Sequence, residues 1–184
     1  IISGSFRGKK IYQPMNDKTR PLKDLVKESI FNIINHSKKF KVDLENANIL
    51  DMFSGVGSFG IECLSRGVQK VVFVENYQGV IPILKKNLLN LKSVDNYKII
   101  EKDIYDNNKI ITLNIQFDII FLDPPFKDKN LSIIFRKIKN ENLLKENGII
   151  ILHRHKDEKD IFLENFNIIE KKKYGISRIF FFSN

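Results

Sequence analysis

Cysteine occurs once in these 184 residues, at Cys63. A single thiol excludes an intramolecular disulfide framework and fits a reducing cytoplasm. No apolar stretch reaches about 18 residues, so no transmembrane helix is expected, and no signal-peptide pattern is visible. The first residue is Ile1 rather than Met, which leaves open an earlier natural start. Internal repeats are missing too. The length suits one α/β domain with a proper core and is too short for two sizeable ones.

Several kinds of chemistry lack their residues. His153 and His155 alternate at strand spacing without a Cys or acidic partner pattern, so no metal site is expected. His36 ends a helix and reads as solvated. Cys63 sits inside a helix, where a buried structural thiol is the default. No P-loop and no Ser-His-Asp arrangement can be assembled from the spacings.

Arginine is scarce as well, six of 31 basic residues in a chain of net charge +9. The charge suggests a polyanionic partner. A Lys-, Asn- and Ile-rich composition is equally what an AT-rich genome produces without selection for binding. Distribution says more. Arg7, Lys9, Lys10, Lys18, Arg20, Lys23 and Lys27 face only Asp17 and Asp24 over the same stretch, and Lys171-Lys172-Lys173 precedes Tyr174 and Gly175.

Along the chain, Ile1 to Tyr12 has no helical period and reads as a short strand or hairpin arm. Arg20-Pro21 opens a helix with apolar residues at Leu25, Val26, Ile30, Phe31, Ile33 and Ile34. A polar linker from His36 to Asn46 separates an N-terminal arm and helix (1–40) from a main domain (41–184). Strands are predicted over 47–53, 70–75, 97–103, 117–122 and 148–152, and helices up to about Arg66 and over 78–91, 131–139 and 157–164. The last two strands, 166–172 and 176–182, are separated only by Tyr174-Gly175 and its flanks, so they form an antiparallel hairpin. The pattern predicts an α/β, Rossmann-like fold with a seven-stranded, mostly parallel sheet, a C-terminal antiparallel hairpin and a short N-terminal extension.

Two loops carry chemistry. Gly55, Gly57 and Gly60 spell G-x-G-x-x-G between a strand and a helix, where backbone can approach a ligand. Glu75, ending the second strand, suits two ribose hydroxyls, with Asn76 beside it. That much fits a dinucleotide as well as S-adenosylmethionine (SAM). Asp51 breaks the tie, because a carboxylate there opposes a pyrophosphate and favours a cationic ligand end. Asp103, before Ile104, stands where an adenine amino group could donate to it, and it could equally cap a helix.

The second loop is F-D-I-I-F-L-D-P-P-F, Phe117 to Phe126. Two prolines stop the strand and hold Asp123 on a stiff turn at its carboxyl end, the edge where open α/β sheets bind ligands. This resembles the D/N-P-P-F/Y signature of SAM-dependent amino-methyltransferases. An exocyclic amine is a poor nucleophile, its lone pair being delocalised into the base. Acceptors at the Asp123 side chain and the Pro124 carbonyl would pyramidalise it and stabilise its developing charge. Pro125 stiffens the turn, and Phe126 would stack on the flipped or unpaired base.

With I-I-S-G-S-F-R-G-K-K (1–10), R-P-L-K-D-L-V-K-E-S-I-F-N-I-I (20–34), D-M-F-S-G-V-G-S-F-G-I-E-C-L-S-R-G (51–67), D-P-P-F and the closing Y-G-I-S-R-I-F-F-F, the chain resembles the RsmD family nearly end to end. These are bacterial SAM-dependent methyltransferases acting on a guanine N2 of 16S ribosomal RNA. The resemblance implies that Arg20, Pro21 and Glu28 help close a cofactor pocket that also includes Phe53. It implies too that the arm around Arg7, Lys9 and Lys10 touches RNA. The expected cofactor is SAM, released as S-adenosylhomocysteine, with no metal. The expected partner is 16S rRNA, within an assembling small subunit and not at a membrane, and the expected state is a monomer. Leu22 and Lys27 depart from the family's usual Thr and Arg. Two other readings compete: a DNA adenine-N6 or cytosine-N4 methyltransferase, for which 184 residues leave no target-recognition domain, and a non-catalytic RNA-binding assembly protein, against which the intact Asp51, Glu75 and Asp123 argue.

Overall fold

The structure is a computed structural model and describes residues 1–14, 22–92, 94–106, 108–110, 115–158 and 166–184. The elements run α1 (Asp24–His36), β1 (Asn48–Met52), α2 (Ser58–Ser65), β2 (Lys70–Val74), α3 (Ile81–Leu89), β3 (Tyr97–Ile100), β4 (Phe117–Leu122), α4 (Leu131–Asn140), β5 (Leu144–His155), β6 (Asn167–Tyr174) and β7 (Ser177–Ser183). The strands form one sheet in the order β3-β2-β1-β4-β5-β7-β6. Every pairing from β3 through β5 is parallel, and β7 lies antiparallel between β5 and β6. This is the fold expected from the sequence.

Alternation along the strands sorts the core into two layers. Ile49, Val71, Phe73, Ile119, Phe121, Ile149, Ile151, Ile179 and Phe181 pack with Val26, Ile30 and Phe31 of α1, Phe59 and Ile61 of α2, and Leu84 and Leu88 of α3. Leu50, Met52, Val72, Val74, Ile120, Leu122, Ile150, Leu152, Phe180 and Phe182 pack with Leu131, Ile134, Phe135 and Ile138 of α4. Phe31, Phe59 and Phe121 stack in a column, with centroids 5.4 and 4.0 Å apart, that ties α1 through α2 to the sheet. Apart from Phe117, which lies before the register irregularity of β4 and packs on the α4 side, buried odd-numbered strand residues therefore face α1–α3.

Local differences from the predicted elements have physical causes. Residues 1–12 form turns rather than a strand or hairpin, because the N–H groups of Ile2, Ser3, Ser5 and Phe6 are taken by α2 and those of Arg7, Gly8 and Lys9 by carbonyls within the arm. Ser5 N–H donates to Ser65 O (2.7 Å), and Ile2 and Ser3 N–H donate to the Glu62 carboxylate (2.8 and 3.0 Å). Gly4, at φ 80°, lies where a Cβ would strike the Ser65 carbonyl. The third helix starts at Ile81 rather than Gln78, which puts Pro82 in its first turn, where the missing N–H costs nothing. β5 begins at Leu144 because a register irregularity lets Phe117 pair with Leu144 and Ile119 with Ile149. β3 is shorter than expected and stops at Ile100. Arg20 and Pro21 lie outside the described residues, as does most of the helix expected over 157–164. No helix among the described residues is long and apolar enough to cross a membrane.

Candidate active site

Between β1 and β4 the chain order of the sheet reverses, and the two strands end in register at Met52 and Leu122. At such a switch point the following loops diverge and leave a crevice. Asp51, Glu75, Asp123, His153 and Ser177 all continue the odd-numbered alternation, so they share the α1–α3 face of this edge.

Asp51 is 1% exposed, and its Oδ2 accepts the Gly60 N–H at 2.9 Å. Gly60 has to be glycine, since a Cβ would sit 2.3 Å from the Phe73 ring and 2.9 Å from Asp51 Oδ2. Burial pushes the Asp51 carboxyl up to about 8. The Gly60 hydrogen bond pulls against this, and the charges of Asp123 and Glu75 add to the push. The loop beyond is strained where it turns. Phe53 takes φ 59°, a region bulky side chains avoid, and Gly57 at φ 86° begins α2 without a side-chain cap.

Glu75 organises the neighbouring loop. Its Oε2 accepts the Gly55 N–H (2.8 Å), and Oε1 accepts those of Asn76 (3.0 Å) and Tyr77 (2.8 Å). Asp103 is exposed, and its Oδ1 accepts the Tyr105 N–H (2.9 Å) in a turn, so it caps no helix among the described residues. Ile104 is buried. The Tyr105 ring lies 6.1 Å from that of Phe53, and its hydroxyl donates to Asp128 (2.5 Å). Burial first, and then that hydrogen bond, raise the Tyr105 phenol, so it stays a donor.

Asp123, with its side chain 21% exposed, leaves the sheet with its N–H on Met52 O (3.4 Å). Pro124 is buried and Pro125 exposed. His153 Nδ1 lies 2.8 Å from Asp123 Oδ1, and His153 Nε2 lies 2.9 Å from Ser177 Oγ. Arg154, fully buried, donates to Pro125 O (3.0 Å) and Asp128 O (2.8 Å). The Phe126 ring lies 5.8 Å from that of His153 and 5.1 Å from that of His155.

The structure thus gathers Asp51, Phe53, Gly55, Gly57, Gly60, Glu75, Asn76 and Asp123 through Phe126 along one sheet edge. Other expected residues stand apart. Glu28 is exposed on α1, while its neighbour Lys27 is buried against Glu62 (3.8 Å) and Asp24 (3.2 Å). On the arm, Arg7 and Lys10 are exposed. Lys9 donates to Asn90 O, the C-cap of α3 (3.1 Å), and lies over the Phe6 ring. Phe6 N–H meets Ser65 Oγ at the far end of α2, about 12 Å along that helix from its glycine loop.

Residues 1–183 match the family model described as Conserved hypothetical protein 95. The chain belongs to that family. Ribosomal RNA small subunit methyltransferase D of Haemophilus influenzae is 35% identical over 177 residues, 96% of this chain and 89% of the relative. The Escherichia coli protein of the same name is 30% identical, over 90% of this chain and 73% of its own length. A solved Haemophilus influenzae structure, provisionally assigned as a methylase, superposes with TM-score 0.76 at 34% identity over 100% of this chain and 97% of that one. A provisionally assigned Escherichia coli methyltransferase gives TM-score 0.78 at 25% identity, covering 99% and 95%. The relatives' names agree with the RsmD resemblance read from the motifs.

In this RsmD-family chain the aligned Asp123, His153 and Ser177 correct the expectation that no Ser-His-Asp arrangement could form. Three adjacent strands, distant in sequence, supply one residue each. The polarity is opposite to a hydrolase's, because Ser177 is the buried end (4% exposed) and Asp123 the open one. His153, Arg154 and Ser177 went unnoticed as site residues. The hint in the sequence is H-R-H directly after the strand predicted over 148–152. Among the described residues, no group of three or more His, Cys, Asp or Glu could hold a metal ion.

Proposed function

We propose that this chain transfers the methyl group of SAM to the exocyclic N2 of a guanine in 16S rRNA, acting as a monomer on an assembling small subunit. By family it is a SAM-dependent rRNA methyltransferase; the relatives named ribosomal RNA small subunit methyltransferase D align over 89% and 73% of their own length. The observation that carries the cofactor assignment is Asp51. Its carboxyl is buried and raised further by the charges of Asp123 and Glu75, so a cation beside it is favoured. Of the two cofactors a glycine-rich loop admits, a dinucleotide presents an anionic pyrophosphate there, whereas SAM presents positive charge on its sulfonium and ammonium groups.

In this reading Asp51 faces the cationic end. The N–H groups at the start of α2, reached over Gly55 and Gly57, face the carboxylate. Glu75, with Asn76, takes the ribose hydroxyls. Asp103 takes the adenine amino group, with Phe53 and Ile104 as apolar walls, and Arg20, Pro21 and Glu28 close over the pocket. SAM supplies an electrophilic methyl group and leaves as S-adenosylhomocysteine.

The target amine is held by Asp123 and the Pro124 carbonyl, both acceptors, which draw its N–H bonds out of the base plane. They stabilise the positive charge on nitrogen as its bond to carbon forms. Once methylated, the nitrogen sheds one proton to Asp123 and on to water. A carboxylate accepts only, which suits a guanine edge, where N1–H and N2–H lie side by side as donors. Phe126 stacks on the base. Lys171, Lys172 and Lys173 are exposed on β6 as it runs towards the turn beside His155, so RNA backbone can follow that edge. Arg7, Lys9 and Lys10 offer contacts farther away.

The test offers labelled SAM with small subunits, naked 16S RNA and duplex DNA, all unmodified, followed by nucleoside mass spectrometry. N2-methylguanosine that disappears with Asp123→Ala is the expected result. A methylated DNA base, or SAM binding with no transfer to any of the three, would overturn the assignment.

A further inference from the structure

The chemistry proposed for Asp123 depends on where its carboxylate points, and the D-P-P-F motif itself does not determine that. The prolines fix the backbone but leave both side-chain torsions of Asp123 to its neighbours. A carboxylate only accepts hydrogen bonds, so the 2.8 Å contact requires the proton on His153 Nδ1. A neutral imidazole then presents Nε2 as an acceptor, and the Ser177 hydroxyl fills it at 2.9 Å. The chain of donors runs in one direction, from Ser177 to His153 to Asp123. Its inner members are buried and its outer one is partly open.

We propose that His153, anchored by Ser177, is the positioning residue that aims Asp123 at the target amine. Resting on the methyltransferase reading above, this assigns a role to a side chain that would not touch the substrate. One oxygen, Oδ1, is tied down at the β5 side, which sets the plane of the carboxylate and leaves Oδ2 and the remaining lone pair of Oδ1 for the base. Backbone register makes the arrangement possible, since Leu122 pairs with Leu152, so Asp123 and His153 emerge side by side. Arg154, on the opposite face of β5, fixes the same loop at Pro125 O and Asp128 O. The H-R-H end of β5 is in this way the mould of the Asp-Pro-Pro-Phe loop.

The test compares His153→Leu, His153→Asn, Ser177→Ala and Asp123→Asn in single-turnover methyl transfer, with SAM affinity and Tm recorded for each. Asparagine carries its N–H on an atom bonded to Cγ, as Nδ1 is, so it can still donate to Asp123; leucine cannot. The expected result is a fall in kcat of about 10- to 100-fold for His153→Leu, the size expected when a reacting group drifts by about 1 Å. SAM affinity and KM for RNA should hold, and His153→Asn should recover most of the loss. Ser177→Ala should fall between them. If His153→Leu keeps full kcat while Asp123→Asn abolishes transfer, the positioning role is wrong and methyl transfer stands. Full kcat in Asp123→Asn would overturn the positioning proposal together with the role given to the Asp123 carboxylate, while methyl transfer itself would stand. A Tm drop in His153→Leu that persists in His153→Asn, with kcat tracking Tm and not the donor, would mark a purely structural role and also overturn the proposal.

Discussion

Asp51 shows how a single residue can set stability against function. Its folded carboxyl is raised to about 8 from 3.8, so folding favours the protonated form. The stability it allows is fully present below about pH 4 and is lost progressively as pH rises through about 8. Asp51→Asn keeps an oxygen for the Gly60 N–H and removes the titration. The variant should match the natural chain near pH 4, gain on it progressively up to about pH 8 and hold that margin above, measured as a Tm difference that grows and then levels off. The same variant should lose SAM binding. In the natural chain a cation beside Asp51 lowers its pKa again. Binding at pH 7 should therefore release a proton, detectable by calorimetry in buffers of different ionisation enthalpy. A flat Tm difference across pH would show that Asp51 is ionised throughout.

At the scale of elements, the N-terminal arm has no secondary structure of its own and borrows its order from α2. Glu62, fully buried, holds Ile2 and Ser3 by their N–H groups, Arg66 through two guanidinium nitrogens (3.0 and 3.1 Å), and Lys27 of α1. Asn87 of α3 does similar work at the other end, exchanging hydrogen bonds with the backbone of Tyr12 and reaching Val56 O in the glycine loop. One carboxylate therefore joins arm, α1 and α2. Glu62→Ala would leave two amides and the Arg66 guanidinium without their acceptor and Lys27 with Asp24 as its one ion-pair partner among the described residues, and should cost about 3–5 kcal/mol in denaturant unfolding. The amides of Ile2 and Ser3 should lose their hydrogen-exchange protection in the same variant. A loss under about 1 kcal/mol would mean that the arm is held by its apolar contacts alone.

At the scale of the whole molecule, the exposed lysines of β6 and basic residues of the arm stand on two different stretches of surface. If the exposed Lys171 and Lys173 of β6 meet phosphates, replacing both by Glu should weaken RNA binding across sequences. It should also reduce the slope of log K against log salt by about one for each phosphate that is no longer neutralised, with SAM affinity unchanged. The paired Lys9, already engaged on the end of α3, should matter less than either when replaced by Glu. Equal effects at Lys9 and Lys171 would place the docking surface on the arm side instead.

Period-two alternation in the strands, glycine spacing and the two prolines after Leu122 are local properties of the chain. They were enough to determine the α/β class, the hairpin and the loop residues from Asp51 to Phe126. Even the face shared by Asp51, Glu75 and Asp123 follows from counting residues along strands. The arm differs from its expected strand because four of its donors, at Ile2, Ser3, Ser5 and Phe6, are satisfied by Glu62 and Ser65, some 60 residues away, and no local pattern announces such a partner. Tertiary structure alone decided that β5 lies between β4 and β7. That placement turned His153, which in sequence resembled an idle alternating histidine, into the neighbour of Asp123. Hydrogen bonds are set by proximity in space, and strand order across a sheet is not written in the order of the chain.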